Sequence, residues 1–171
     1  MKTVRHILVA GILALTAMLV GGCGIYSFSG TSIQPDVNTI TINYFEYKAE
    51  TVNPSLSNQI TEELRTQFRK MTRLEQVDLD GDLEIEGQIT GYSVAAAAVT
   101  ADEVAARNRL TVTVKVTFTN RKYPEDDLDQ NFSASEEYDS TQYLDSVQEA
   151  LCAEIVKKLV EDIFNATVAQ W

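Results

Sequence analysis

Two cysteine thiols, Cys23 and Cys152, are the side chains of this 171-residue sequence with the most distinctive chemistry. A thiol can act as a nucleophile, bind a metal or carry a covalent group. The usual partner in the first two roles is histidine, and the only histidine is His6. CxxC, HExxH, GxSxG, GxxxxGK[ST] and GxGxxG motifs are all absent from the sequence. We therefore expect no catalytic residue, no metal site and no cofactor other than a covalent lipid.

Cys23 follows a segment typical of a bacterial lipoprotein signal peptide. A short basic start precedes ILVAGILALTAMLV, residues 7–20, which carries no charge. This stretch is shorter than the about 20 apolar residues that span a membrane and has the length of a signal-peptide core. The VGGC sequence at residues 20–23 looks like a lipobox, in which the chain is cut before the cysteine and the thiol is acylated. We predict a signal peptide over residues 1–22 and lipidation of Cys23; the alternative is an uncleaved N-terminal anchor.

The composition after residue 22 predicts one acidic domain. The remaining residues carry 12 basic and 25 acidic side chains, a net charge of −13, which repels nucleic acid and anionic lipid. Residues 23–35 are rich in Gly, Ser and Thr and are interpreted as a lipidated tether. Residues 36–171 are predicted to be a single α+β domain, long enough for one core. Lipidation of Cys23 would anchor it to a membrane without a transmembrane helix.

Two segments of the sequence alternate between apolar and polar side chains. Residues 106–120, ARNRLTVTVKVTFTN, alternate apolar side chains with Thr and Lys, which predicts a strand with one buried and one solvated face. Residues 83–90 alternate in the same way. Gly87 and Gly91 are assigned to the apolar face of this second strand, where another element would pack closely.

We expect these two strands to pair antiparallel, with Leu83 opposite Phe118 and Glu86 opposite Lys115. This register places the apolar side chains on one face, and a slip by one residue would put the two faces out of phase. Asp80-Gly81 before them is a hairpin signal.

Further strands are predicted before and after this pair in the sequence. VNTITINYFEY, residues 37–47, is rich in β-branched and aromatic side chains. NFSASEEYD, residues 131–139, is predicted to be a short strand after a charged turn at Tyr123-Pro124.

Two helices are predicted from apolar residues at helical spacing. Asn53 is expected to cap the first, with Pro54 in its first turn; its apolar stripe is Leu56, Ile60, Leu64, Phe68 and Met71. The stripe of the second helix is Leu144, Val147, Leu151, Ile155, Leu159 and Ile163. Cys152 lies beside this stripe and is expected to be a small buried residue.

Together these elements predict an α+β fold. Two helices with one apolar face each, and a sheet with one apolar face, pack as a two-layer sandwich. We expect both helices on one face of a mainly antiparallel sheet of about four strands.

Several segments in one order resemble the lipopolysaccharide-assembly lipoprotein LptE family, in the form found in Bacteroidetes-type Gram-negative bacteria. They span essentially the whole chain after the signal peptide and are CGIYSFSGTSI, VNPSLSNQITEEL, GDLEIEGQITGY, NRLTVTVKVTFTN and EIVKKLVEDIFNATVAQW. The resemblance implies a fold of two helices on a four-stranded sheet, in agreement with the prediction from the residues.

The resemblance implies an assembly protein and not an enzyme. Members plug, and assist the folding of, the β-barrel LptD, through which lipopolysaccharide reaches the cell surface, and some bind lipopolysaccharide. The implied location is the outer membrane, lipid-anchored and facing the periplasm, and Gly24 after the lipidation site fits it. The alternative is a stand-alone periplasm-facing lipoprotein that binds an amphiphile or another envelope protein.

The candidate ligand contacts are Arg107, Arg109 and Lys115, which share the polar face of one predicted strand. Arginine grips phosphate through two donors, so these side chains could bind the phosphates of lipopolysaccharide. The alternative is cross-strand ion pairing, with Glu86 opposite Lys115. The cations Arg65, Arg69 and Arg73 on the first helix are interpreted as a solvated face.

Overall fold

The computed structural model describes residues 32–51, 53–97 and 106–169. Cys23, the predicted signal peptide and most of the predicted tether lie outside these residues. The strands are β1 (Thr39–Ile42), β2 (Glu46–Tyr47), β3 (Glu75–Gln76), β4 (Leu83–Ala96), β5 (Arg107–Asn120) and β6 (Leu128–Asp139). The helices are α1 (Leu56–Met71) and α2 (Leu144–Val168), and a 3-10 turn covers Pro124–Asp126.

The six strands form one mixed sheet and not four antiparallel strands. Its order is β3-β1-β4-β5-β6, with β2 also paired to β4. The long strands β4, β5 and β6 pair antiparallel, whereas β1 pairs parallel with both β3 and β4, and β2 pairs parallel with β4. The parallel pairs arise because α1 carries the chain back to the start of β1, as a crossover connection requires.

The predicted hairpin at Asp80-Gly81 is wrong. Residues 77–82 instead pass across β1, from β3 on one side to β4 on the other. A Cβ atom on Gly81 would lie 2.6 Å from the backbone nitrogen of Thr41, so only glycine allows this close crossing. The hydroxyl of Thr41 accepts a hydrogen bond from the Gly81 N–H at 3.0 Å, and the hydroxyl of Thr39 accepts one from the Asp82 N–H at 2.8 Å.

The register of β4 against β5 differs from the prediction by two residues. Leu83 lies opposite Asn120, Ile85 opposite Phe118, and Glu86 opposite Thr117. A shift by two residues leaves every side chain on its predicted face, so the apolar pattern could not distinguish the two registers. A bulge between Ile89 and Gly91 then moves Gly91 to the polar face, opposite Thr113.

The two helices cover the apolar face of the sheet and run side by side in the same direction. Asn53, just before α1, contacts Cys152 in α2, and further along Phe68 contacts Phe164 edge-to-face at 5.0 Å between ring centroids. The buried core joins both helices to the inward side chains of four strands, β1, β4, β5 and β6. The predicted two-layer α+β arrangement, with both helices on one face, is confirmed.

The ends of the predicted helix stripes need corrections. The first helix begins at Leu56 and not at Pro54, and no side chain caps it. The Asn53 side chain turns inward, and its amide donates to the Cys152 sulfur at 3.5 Å. Met71 is exposed and lies outside the core. In the second stripe Ile155, Leu159 and Ile163 are buried as expected, whereas Leu144, Val147 and Leu151, nearer the start of the helix, are only half-buried. Cys152 is buried.

Candidate functional site: the uncovered face of the sheet

The face of the sheet opposite the helices carries a flat field of hydroxyl side chains. Its cross-strand rows join Gly91, Thr113 and Ser133, and then Ser93, Thr111 and Ser135. We call this surface the open face. It contains no charge in its central rows, although the chain as a whole carries a net charge of −11.

Ion pairs flank the hydroxyl field at both ends. Lys115 pairs with Asp129 at 3.2 Å, so the predicted pairing of Lys115 with Glu86 is wrong; the register places Gln88 opposite Lys115. At the other end, Arg109 contacts Glu137 at 2.6 Å. Neutralised ends and an uncharged centre leave a surface that costs less to desolvate than a charged one.

The two predicted arginines form one cluster, and Lys115 is not part of it. Arg107 and Arg109 both contact Glu137, at 3.7 Å and 2.6 Å. Lys115 lies six residues further along β5, about 20 Å away at the rise of a strand. The structure therefore brings together two of the three candidate phosphate contacts.

The arginine cluster has donors to spare. Arg109 donates from Nε and Nη2 to the same oxygen of Glu137, which holds the pKa of that carboxyl below its usual range. Glu137 contacts both guanidinium groups, each with five donors, and Asp139 lies opposite Arg107. The two arginines and Glu137 are substantially exposed, and such surface pairs contribute only about 0–1 kcal/mol. An anion could therefore compete for the guanidinium groups.

A second feature of the open face is a notch beside β2, which the sequence analysis missed. Ile42 lies opposite Ile85, and Glu46 lies opposite Gln88. Between these two pairs, the three residues 43–45, which join β1 to β2, face only two residues of β4. This extra residue is a bulge, and bulges re-aim side chains. Phe45 turns into the core while Tyr44 turns outward and is 56% exposed. The available signal was Tyr44-Phe45, two aromatics in succession, together with Gly87 on the facing strand.

Cys152 lies in a buried polar cluster at the start of the helices. Asn53 contacts its sulfur, and the backbone N–H of Asn53 donates to the Tyr47 hydroxyl at 3.2 Å. Burial raises the pKa of the Cys152 thiol, and burial also raises the pKa of Tyr92 to about 12. A buried, protonated thiol is a poor nucleophile, so Cys152 acts as a core residue.

Residues 32–34, at the end of the predicted tether, contact the domain at the far end of α2. The Ser32 N–H donates to the carbonyl of Val168 at 2.8 Å, and the Gln34 amide donates to Asp126 at 2.8 Å. The arginine cluster lies at the opposite end, near the start of α2.

None of the described helices is long and apolar enough to cross a membrane. Among the described residues, no three His, Cys, Asp or Glu side chains are grouped as metal ligands.

Comparison with known proteins identifies one family. The family model described as LptE, Lipopolysaccharide-assembly, matches residues 37–167. No curated protein matches the sequence. Among solved structures, the protein CT253 from Chlamydia trachomatis has a TM-score of 0.51 at 9% identity, with 76% of this chain and 97% of that chain covered.

Two further structures show weaker likeness. A minor lipoprotein from Acinetobacter baumannii has a TM-score of 0.48 at 10% identity, covering 74% of this chain and 89% of that chain. Lipoprotein B from Nitrosomonas europaea has a TM-score of 0.44 at 14% identity, covering 77% and 85%.

Proposed function

Because the chain belongs to the LptE lipopolysaccharide-assembly family, we propose that it plugs and assists the assembly of an LptD-type β-barrel that inserts lipopolysaccharide into the outer membrane. The observation that carries this proposal is the family match, which extends over residues 37–167. The protein acts by binding and positioning a partner and not by catalysis.

The open face supports the plug role. The lumen of a large membrane barrel is polar, so a plug must present polar surface that desolvates cheaply. The uncharged rows around Thr113 and Thr111 have this property, and hydroxyl groups can bond to the barrel wall directly or through water.

The anchor completes the proposed placement. Residues 1–22 are removed as a signal peptide, Cys23 carries the lipid, and residues 23–35 link it to the domain of residues 36–171. The lipid holds the protein in the outer membrane, facing the periplasm. The Ser32–Val168 hydrogen bond supports this proposal, because it fixes where the tether meets the domain.

Purification of the C-terminally tagged full chain from its own outer membrane, in gentle detergent, tests the barrel partner. Mass spectrometry should find a large β-barrel protein in one-to-one amount. A lone triacylated protein would instead favour a stand-alone lipoprotein that binds an amphiphile or another envelope protein.

Two variants locate the contact. Thr113→Lys puts a charge in the centre of the open face and should reduce the retained barrel, whereas Thr66→Lys, on α1, should not. Circular dichroism checks that both fold. Equal retention by the two variants would contradict the assignment of the open face, while leaving the barrel partner itself established.

A direct contact with lipopolysaccharide is proposed at Arg107 and Arg109, which share Glu137 and keep guanidinium donors free; Lys115, paired with Asp129, is not part of this contact. The double variant Arg107→Glu, Arg109→Glu should weaken binding of purified lipopolysaccharide, and Arg69→Glu on α1 serves as the control. Unchanged binding after this charge reversal would remove the arginine cluster from the proposal.

A further inference from the structure

The notch on the open face is lined by residues of the bulge and of β4 and β5, with Gly87 among them. A Cβ atom on Gly87 would point into the core and would lie 2.2 Å from the ring of Phe45. The phenyl ring fills the space that a side chain would occupy, and it is fully buried. Because the bulge directs Phe45 inward, Tyr44 must project on the opposite side, over the sheet.

The resulting cavity holds about 250 Å³ and is lined almost entirely by polar side chains. Three of them, Tyr44, Glu86 and Gln88, form no hydrogen bond or ion pair through their side chains within the part of the chain that the structure describes. Lys115 lies across from them and keeps donors free besides the one used on Asp129.

The charges of the lining select against anions. Glu86 is unpaired and Glu46 is paired with Lys48 at 2.9 Å, so two carboxylates face one ammonium group, Lys115, in the cavity. A phosphate or carboxylate ligand would meet net negative charge. A ligand of purely apolar character would leave the carboxylate and amide groups without partners, which is costly.

A neutral polyhydroxylated ring satisfies this lining. Each hydroxyl of the ring can both donate and accept a hydrogen bond. It can therefore donate to the Glu86 carboxylate, accept from the Lys115 ammonium group, and do either with the Gln88 amide. The C–H face of such a ring is apolar and can pack on an exposed aromatic ring, whose body is apolar and whose hydroxyl is polar. The volume is below the about 300–1,000 Å³ of sites that enclose drug-sized ligands, so one sugar unit fits.

We propose that the notch is a binding subsite for a neutral pyranose unit of a saccharide. Tyr44 stacks on the ring, the Glu86 carboxylate and the Gln88 amide hydrogen-bond its hydroxyls, and Lys115 donates from the far side. This inference goes beyond the proposed assembly role, because binding requires neither the barrel nor the lipid anchor.

Saturation-transfer NMR on the purified full chain tests the subsite. The probes are the methyl α-glycosides of glucose, galactose and mannose, in an amine-oxide detergent that lacks a sugar headgroup. At least one should bind, and the corresponding methyl glucuronide should bind more weakly because of Glu46 and Glu86. Tyr44→Ala should weaken the binding at least about tenfold, a loss of about 1.4 kcal/mol.

Matched variants separate the subsite from general stickiness. Glu86→Gln keeps the shape of the side chain and should also weaken binding, whereas Tyr143→Ala removes a tyrosine that is 86% exposed outside the cavity and should have no effect. The proposal is overturned if none of the three glycosides binds, if the glucuronide binds best, or if Tyr44→Ala and Glu86→Gln bind as the wild type does. None of these outcomes depends on whether a barrel co-purifies.

Discussion

At the scale of single residues, Gly87 shows how one missing methyl group shapes the open face. The Phe45 ring occupies the position of a Gly87 side chain, and this packing fills the core beneath the notch, which Gly87 lines. A larger residue would have to displace a buried aromatic ring, because close-packed interiors leave no room for an added carbon.

We therefore predict that Gly87→Ala lowers the free energy of unfolding by about 1–3 kcal/mol, the usual cost of overpacking. Guanidinium unfolding measures it. The matched control is Gly91→Ala, where the new Cβ would lie 3.1 Å from Thr113 on the open face and the exposed neighbour can move aside. If the two variants were equally stable, the tight packing of Phe45 against Gly87 would be refuted.

Asp82 predicts a pH dependence. Its carboxylate accepts from the backbone N–H groups of Asn38 and Thr39 at 2.8 Å and 3.2 Å and pairs with Lys122 at 3.1 Å. The N–H of Asn38 contributes most to lowering the pKa of Asp82 to about 2 from 3.8. The folded state therefore binds this proton less readily than the unfolded state, so the stabilisation is present above pH 3.8 and is lost as the pH falls towards 2.

Asp82→Asn should accordingly lower the free energy of unfolding at pH 6 by about 1–2 kcal/mol, and its difference from the wild type should shrink towards pH 2. Urea titrations across this range measure both effects. Asp78→Asn, at an exposed position of the same crossing segment, is the control. A difference that stayed constant with pH would show that the carboxylate charge is not the cause.

At the scale of elements, the crossing of residues 77–82 over β1 depends on two hydroxyl side chains. They accept backbone hydrogen bonds that a neighbouring strand would otherwise accept. Gly81 and Asp82 donate their backbone N–H groups to Thr41 and Thr39. Thr41 is 2% exposed, so water cannot replace its oxygen. The crossing in turn holds β3 and β4 on opposite sides of β1, which sets the mixed sheet.

Thr41→Val keeps the side-chain shape but leaves the Gly81 N–H buried without an acceptor. We expect a loss of about 1–3 kcal/mol, the penalty for an unsatisfied buried polar group. Thermal and urea unfolding measure it, and Thr117→Val on the open face is the isosteric control. A neutral Thr41→Val would mean that the crossing segment finds its hydrogen bonds elsewhere.

The elements also show what the sequence could predict. The helices and the long strands β4 and β5 were evident because their apolar residues recur at a fixed period over eight or more positions. β3 and β2 have two residues each, too few for any period, and their pairing depends on where α1 returns the chain. The Asp80-Gly81 turn was visible, but its direction was set by Thr39 and Thr41, about 40 positions earlier.

The candidate site was also predictable from the sequence only in part. The polar face of β5 and the positions of Arg107 and Arg109 on it followed from strict alternation. Their shared partner, Glu137, did not, because it depends on the register of β5 against β6. The notch could not be predicted either, since it arises from a one-residue mismatch between two strands that pair with β4.

At the scale of the whole molecule, the tether fixes one end of the domain. Ser32 joins the last turn of α2 through Val168, while the start of α2 at Leu144 lies 24 residues before Val168, about 36 Å away at 1.5 Å per residue. The nine residues from Cys23 to Ser32 can span at most about 30 Å. The helix is therefore longer than the reach of the tether.

We predict that the lipidated domain stands with the end near Glu125 at the membrane and the end near Tyr143 away from it. Its acidic surface is repelled by an anionic bilayer, so it should not lie flat.

The full chain carrying Glu125→Cys or Tyr143→Cys can be labelled with a fluorophore, since Cys152 is 1% exposed and stays unlabelled. In vesicles of phosphatidylglycerol with headgroup-quencher lipids, the Glu125 label should be quenched and the Tyr143 label should not. The same labels on a Cys23→Ser chain should both remain bright. Equal quenching of both labels in the lipidated protein would show that the domain lies along the surface and would place the arginine cluster at the membrane instead of away from it.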